Sequence, residues 1–265
     1  MDTKQNPVGD LIREWRTRRR MSQLDLAMEA EISQRHLSFM ESGRALPSRD
    51  MILHLSERLS VPLRQRNQIL LAAGYAPCFS EKSLDHPSLA PAMDAVRMVL
   101  KGHEPYPALA VDRHWNLIEG NAALAPLLAG VEDASLLQPP VNVLRLSLHP
   151  RGVAPQIVNL HEWRAHLIER LKHQNDTAGD PVLEALEKEL LGYPDGPRQG
   201  RPIQGNANII AHPLRMRVGD AVLSFISTTT VFGTPLDVTL SEIAIESFFP
   251  ADEETASRLR ALAAQ

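Results

Sequence analysis

Four residues within a six-position stretch, Gln34, Arg35, Ser38 and Phe39, have the chemistry of duplex-DNA reading. A carboxamide can bond adenine through both of its edge groups, a guanidinium can grip guanine, a hydroxyl serves either base, and an apolar ring packs on the thymine methyl. Their i, i+1, i+4, i+5 spacing puts all four on one side of a helix. To read bases, that helix must be short, rigid and presented to a major groove by its neighbours.

The flanking sequence supplies those neighbours. Ser33 can cap the reading helix, Leu37 and Met40 face the same core as Ile32, and Gly43 ends it. Upstream, residues 11–20 read as a helix with Leu11, Ile12 and Trp15 on one side. Ser22-x-x-Asp25 then forms a capping-box start to a short helix whose inward stripe is Leu26, Ala27 and Ala30. Downstream, Ser48 can cap a fourth helix (Met51, Ile52, Leu55, Leu59). Pro62 opens a fifth, running through Ile69, Leu70 and Leu71 to Gly74. Only residues 30–33 separate the second and third helices, a spacing that permits the near-perpendicular pair of a helix-turn-helix. The expectation is an all-α, five-helix domain over residues 1–75.

Charge divides the chain in the same place. The net charge is -4, yet residues 1–75 hold 12 basic against 9 acidic side chains, and residues 76–265 hold 16 against 23. A basic segment suits a polyanionic partner; an acidic one suits something else. The arginines at 13, 16, 18, 19 and 20 could equally form a solvated helix face, so charge alone does not establish DNA binding. No run approaches the roughly 20 apolar residues of a membrane span. The polar N-terminus is unlike a secretory signal, so a cytosolic protein is expected. The single cysteine, Cys78, excludes an internal disulfide and a Cys-rich metal cage, and reads as an inert, partly buried thiol.

The run Met21-Ser22-Gln23-x-x-Leu26-Ala27, with Ile32-Ser33, Leu37-Ser38 and Glu41-Ser42-Gly43-Arg44-x-x-Pro47-Ser48, resembles the helix-turn-helix of the XRE family, which includes the lambdoid phage repressors. The likeness spans residues 8–60 and implies a lambda repressor-like domain. It implies phosphate contacts from Gln23, His36, Ser42 and Arg44, base reading by Gln34, Arg35, Ser38 and Phe39, and a structural ion pair between Arg16 and Glu41. The chain departs from the family by carrying Arg20 and Glu31 where glycine is usual. If those positions need positive φ, each side chain costs on the order of 1 kcal/mol.

Residues 76–102 are rich in proline and serine before a helix at residues 92–100, and read as a linker with a connecting helix. Beyond it, residues 108–111 and 115–118 read as a hairpin across Asp112-Arg113-His114, and residues 121–128 as a helix. Residues 208–217 and 221–232 form a second hairpin turning at Val218-Gly219-Asp220. Residues 238–249 continue the strand character, and an amphipathic helix (Ala256, Leu259, Leu262) closes the chain. This is an α+β domain with an antiparallel sheet over residues 103–265. The motif Val-Asp-x-x-Trp-Asn-Leu-Ile at 111–118, with Asn121, is similar to the start of a PAS domain. The segments at 73–77, 103–109, 140–150 and 159–163 resemble the MmyB-like regulators, in which such a domain binds a ligand. That resemblance implies a small apolar effector such as a fatty acid. The pocket candidates are Trp115, Asn121, Arg145, His149 and Trp163.

No catalytic or metal constellation emerges. His161 and His166 are five residues apart, which on a helix sets them about 140° from one another. Ser227 lacks a Gly-x-Ser-x-Gly elbow, and no glycine-rich phosphate loop is present. The reading is a transcription regulator with no cofactor beyond its effector, acting as a homodimer on double-stranded DNA. A protein-interaction module of antitoxin or adaptor type is the alternative.

Overall fold

The computed structural model describes residues 7–195, 213–233 and 235–263. Residues 208–212 of the expected third strand lie outside the described residues. The described residues form two compact units: 7–83 together with 235–241, and 84–195 together with 213–233 and 242–263. Residues 76–83, expected in the linker, thus pack with the helical unit.

The first unit consists of α1 (Pro7–Arg18), α2 (Gln23–Glu29), α3 (Gln34–Glu41), α4 (Arg49–Arg58) and α5 (Leu63–Ala72), joined late in the sequence by the single turn α11 (Val238–Ser241). Ser22, Ser33 and Ser48 each accept a backbone N–H three residues on, and Asp25 completes the capping box by accepting from the Ser22 N–H. Ile12, Leu26, Leu37, Met40, Ile52, Leu55, Ile69 and Leu70 meet in one buried core. Each such side chain contributes about 1.5–3 kcal/mol relative to exposure.

The helix ends explain the two departures from the family. In the first five helices the chain reverses with paired bonds, as in Met21 N–H to Arg16 C=O (3.1 Å) and Ile32 N–H to Ala27 C=O (2.9 Å). This Schellman arrangement needs a left-handed residue just past the helix. Gly43 and Gly74 fill that position after α3 and α5, whereas Arg20, Glu31 and Ser60, with φ of 56°, 54° and 48°, fill it after α1, α2 and α4. The backbone keeps the family turn and side chains bear the strain.

The second unit contains α6 (Ala90–Gly102), β1 (Ala108–Val111), β2 (Leu117–Gly120), α7 (Ala125–Leu128), α8 (Val143–Leu148), α9 (Leu160–Ala178) and α10 (Pro181–Leu191). It continues with β3 (Leu214–Val218), β4 (Ala221–Val231), β5 (Ala244–Pro250) and α12 (Glu253–Ala263). The five strands run β2-β1-β5-β4-β3, all neighbours antiparallel, as the PAS-like expectation requires. β3 and β4 form the expected hairpin, with Gly219 at φ 58° in the turn. Leu214, Met216, Leu223 and Phe225 pack in one cluster with Trp163, Leu167 and Leu171 of α9 and Leu183, Leu186 and Leu190 of α10.

Two local expectations are corrected. Trp115 is not in a strand: Asp112 Oδ1 accepts the N–H groups of His114 and Asn116, both at 2.8 Å, and the tight turn carries Trp115 to φ 66°. Residues 238–241 are a helical turn because Asp237 Oδ1 accepts the Thr239 N–H at 2.9 Å, and the strand begins only at Ala244.

Candidate functional site

α3 presents one face and buries the other. Leu37, Met40 and Glu41 are buried, whereas Gln34, Arg35 and His36 are exposed and Ser38 and Phe39 are half-buried. The Phe39 ring has two guanidiniums near it, Arg35 at 5.2 Å and Arg44 at 5.7 Å from its centroid. Such cation–π contacts hold flexible arginines against an apolar plate. Phe39 therefore positions both an expected base reader and an expected phosphate contact, a role the sequence did not reveal. Ser42 lies at the C-terminal end of α3, its hydroxyl donating to the Phe39 carbonyl at 3.3 Å.

Behind this face the helix is locked. Arg16 Nε and Nη2 donate to the two carboxylate oxygens of Glu41 at 2.7 and 2.9 Å, and the Glu41 side chain is fully enclosed. A fork-to-fork pair of this kind is among the strongest charged hydrogen-bond geometries. Two further groups join it: Arg13 Nη2 donates to the Glu41 carbonyl at 2.7 Å, and Gln23 Nε2 donates to Glu41 Oε2 at 2.8 Å. Burial works to raise the Glu41 carboxyl's pKa, but hydrogen bonds from Arg16 and Gln23 and the nearby arginine charges outweigh it and hold the group below the usual carboxylate range. Its hydrogen bond with Glu41 likewise raises the Arg16 guanidinium. Gln23 thus spends part of its donor capacity inside the protein. Arg13 was legible as a partner only through its position one helical turn before Arg16.

The second unit encloses a cavity of about 130 Å³ whose wall is almost entirely apolar. Trp115 and Trp163 line it, together with Leu127 of α7, Leu167 of α9, Met216 of β3 and Phe248 of β5. Each indole N–H has a partner, Trp115 in Gln174 Oε1 at 2.8 Å and Trp163 in Ser147 Oγ, itself in the cavity wall, at 3.2 Å. One charged feature interrupts the wall: Arg170 of α9 bonds Glu246 of β5 through both of its terminal nitrogens, and lies 4.7 Å from the Trp115 ring centroid. Thr229 Oγ1 adds a 3.0 Å bond to Glu246. Sequence reading missed this pair, since 76 positions separate its members.

Three pocket candidates lie elsewhere. Asn121 is a strut, its carboxamide bonding the Ala108 N–H and the carbonyls of Leu100 and Tyr106. Arg145 bonds Glu189 at 2.6 and 2.7 Å, which raises the arginine and lowers the carboxyl. His149 packs edge-on against Tyr193, whose hydroxyl donates to Glu189; burial first, and that bond second, push the phenol up to about 12. Neither Arg145 nor His149 reaches the apolar cavity, because α8 turns its leucines inward and leaves these side chains to α10 and its C-terminal end. His161 and His166 point to different partners, Asp195 at 3.3 Å and the Trp163 ring at 5.4 Å. Among the described residues no helix is long and apolar enough to cross a membrane.

Comparison with known proteins agrees with this layout. A helix-turn-helix family model matches residues 12–65, and a model of the MmyB-like transcription regulator ligand binding domain matches residues 92–262. A protein of Methanoculleus marisnigri described as an HTH-type transcriptional regulatory protein is 37% identical over 111 residues, 40% of this chain. That match spans only 35% of the relative's own length. The chain belongs to the MmyB-like transcription regulators, with an N-terminal helix-turn-helix unit and a ligand-binding domain behind it.

Proposed function

We propose that this regulator binds a pseudo-palindromic operator as a homodimer, each protomer laying α3 in a major groove about 34 Å from its partner's. Gln34, Arg35, Ser38 and Phe39 read base edges, while Gln23, His36, Ser42 and Arg44 contact phosphates. The observation that carries this reading is the division of α3 into an exposed polar face and a face locked by Leu37, Met40 and Glu41. A reading head held rigidly loses little entropy on binding.

The effector is a small, mainly apolar molecule, fatty-acid-like in character, held between Trp115 and Trp163. The wall chemistry supports this, since an apolar void with one polar feature suits such a molecule. The present volume is below the roughly 300 Å³ at which ligand pockets usually begin. Entry of a sizeable effector therefore moves the wall.

Selection of bound duplexes from a random pool tests the DNA reading. A single enriched two-fold motif is expected, with log K falling by about 0.9 per neutralised phosphate as log salt rises. No enrichment and a flat salt response would identify a protein-interaction module instead.

A further inference from the structure

Among the described residues the chain passes between the two units at 83/84, between 233 and 235, and at 241/242, because residues 235–241, which lie between β4 and β5, belong to the helical unit. The contacts that hold this connector there are specific. Asp237 pairs in parallel with Ser80, the Val238 N–H donates to the Ser80 carbonyl at 2.8 Å, and Thr239 Oγ1 donates to the Lys82 carbonyl at 2.6 Å. Val238 is completely buried and α11 packs on α5. The receiving segment is itself fastened to α5: Asn67, 7% exposed, donates to the Phe79 carbonyl at 2.8 Å and accepts the Cys78 and Phe79 N–H groups, both at 3.1 Å. Arg64 of α5 adds an ion pair with Glu81.

The other end of the same connector is the ligand cavity. Only Glu242 and Ile243 separate α11 from β5, and β5 supplies Glu246 and Phe248 to the cavity wall. Three residue steps span at most about 10–11 Å when fully extended. Ile243, 2% exposed, and Glu242, 3.3 Å from Arg113, are not free to supply slack. A displacement of β5 is therefore carried into the connector.

We propose that residues 235–241 are a tether through which filling of the cavity is transmitted to the DNA-binding unit, with β5 as the moving part and α5 as the receiver. The proposal rests on the reading that the cavity takes an effector, but its mechanical content does not need one. Coupling is reciprocal, so DNA binding must alter the cavity wall just as an occupant alters DNA affinity.

The experiment uses the full-length chain, the duplex recovered by selection, and two variants. One carries Gly-Ser-Gly-Ser inserted between Ser241 and Glu242; the other is Thr239→Val, which keeps the shape and removes the hydroxyl bonded to Lys82. Hydrogen exchange is followed in β5 with and without duplex. Duplex affinity is measured with and without dodecanoate, whose uptake is read from Trp115 and Trp163 fluorescence. Duplex binding should change exchange in β5 at least threefold in the unmodified chain, less in Thr239→Val and not at all in the insertion variant. Dodecanoate should change duplex affinity at least fivefold in the unmodified chain and less than twofold in the insertion variant, with equal dodecanoate affinity in both. An insertion variant that keeps the full response, or an unmodified chain whose β5 ignores duplex, overturns the tether. Coupled exchange without any dodecanoate uptake supports the tether and overturns the choice of effector.

Discussion

Each unit holds a buried glutamate in a forked pair with an arginine, Glu41 with Arg16 and Glu246 with Arg170, and the two pairs stand in different surroundings. Glu41 is packed on all sides and takes further bonds from Gln23 and Arg13's reach to its carbonyl; nothing about it can change without moving α3. Glu246 sits in the wall of an apolar void. The Arg170 side chain is 28% exposed against 13% for Arg16. One pair locks the helix proposed to read DNA, and the other borders an apolar cavity. Under the proposed function, a regulator that reads with one end and responds with the other needs rigidity and slack in different units.

The contrast breaks first at Glu41. Glu41→Ala leaves the Arg16 guanidinium without its carboxylate partner and should cost about 3–5 kcal/mol, seen as a lowered thermal transition. A loss under 1 kcal/mol would mean that the pair is not a lock. The same group makes acid the natural denaturant of the helical unit. Because its folded pKa is depressed, its contribution is complete above the ordinary value of 4.5 and is lost as pH falls from there through the lowered value, which Trp15 fluorescence can follow.

Glu246→Gln is the matching change across the comparison. With Arg170 partly hydrated, the expected loss is smaller, about 1.5–3 kcal/mol in urea unfolding, and an equal or greater loss than at Glu41 would erase the distinction. On the DNA side, Arg35→Ala should weaken the selected duplex by about 1–3 kcal/mol and relax its preference at one base, whereas Gln23→Ala should weaken selected and random duplexes alike. Equal behaviour of the two variants would remove the division of labour along the helix-turn-helix. The smallest effect sharpens rather than breaks: Arg20→Gly and Glu31→Gly each relieve a left-handed side chain, and each should raise stability by up to about 1 kcal/mol with DNA affinity unchanged.

Legibility followed the same line. The helical unit was readable because its signals are local: Ser22, Ser33 and Ser48 bond backbone three residues away, and each helix closes on its own last turn. The cavity was readable only in outline. Trp115 and Trp163 stand out as large apolar anchors, but nothing local in the sequence shows that Arg145 bonds Glu189 of α10 or that His149 packs on Tyr193 just beyond it. Residues 238–249 looked uniformly β-rich, so the helical turn that docks on the other unit was hidden within a strand-like run.

By itself the sequence determined the order of the first five helices, the polar face of α3, the capping residues, the split of charge and the antiparallel α+β character of the second unit. These depend on periodicity and on hydrogen bonds within a few residues. Tertiary structure alone decided that Gln23 joins the Arg16–Glu41 pair, that Arg170 meets Glu246 at a cavity wall, and that residues 235–241 belong to the unit at the other end of the chain. Contacts across 18, 76 and about 157 positions leave no periodic trace, because closing such loops is determined by the packing of whole elements rather than by neighbouring residue types.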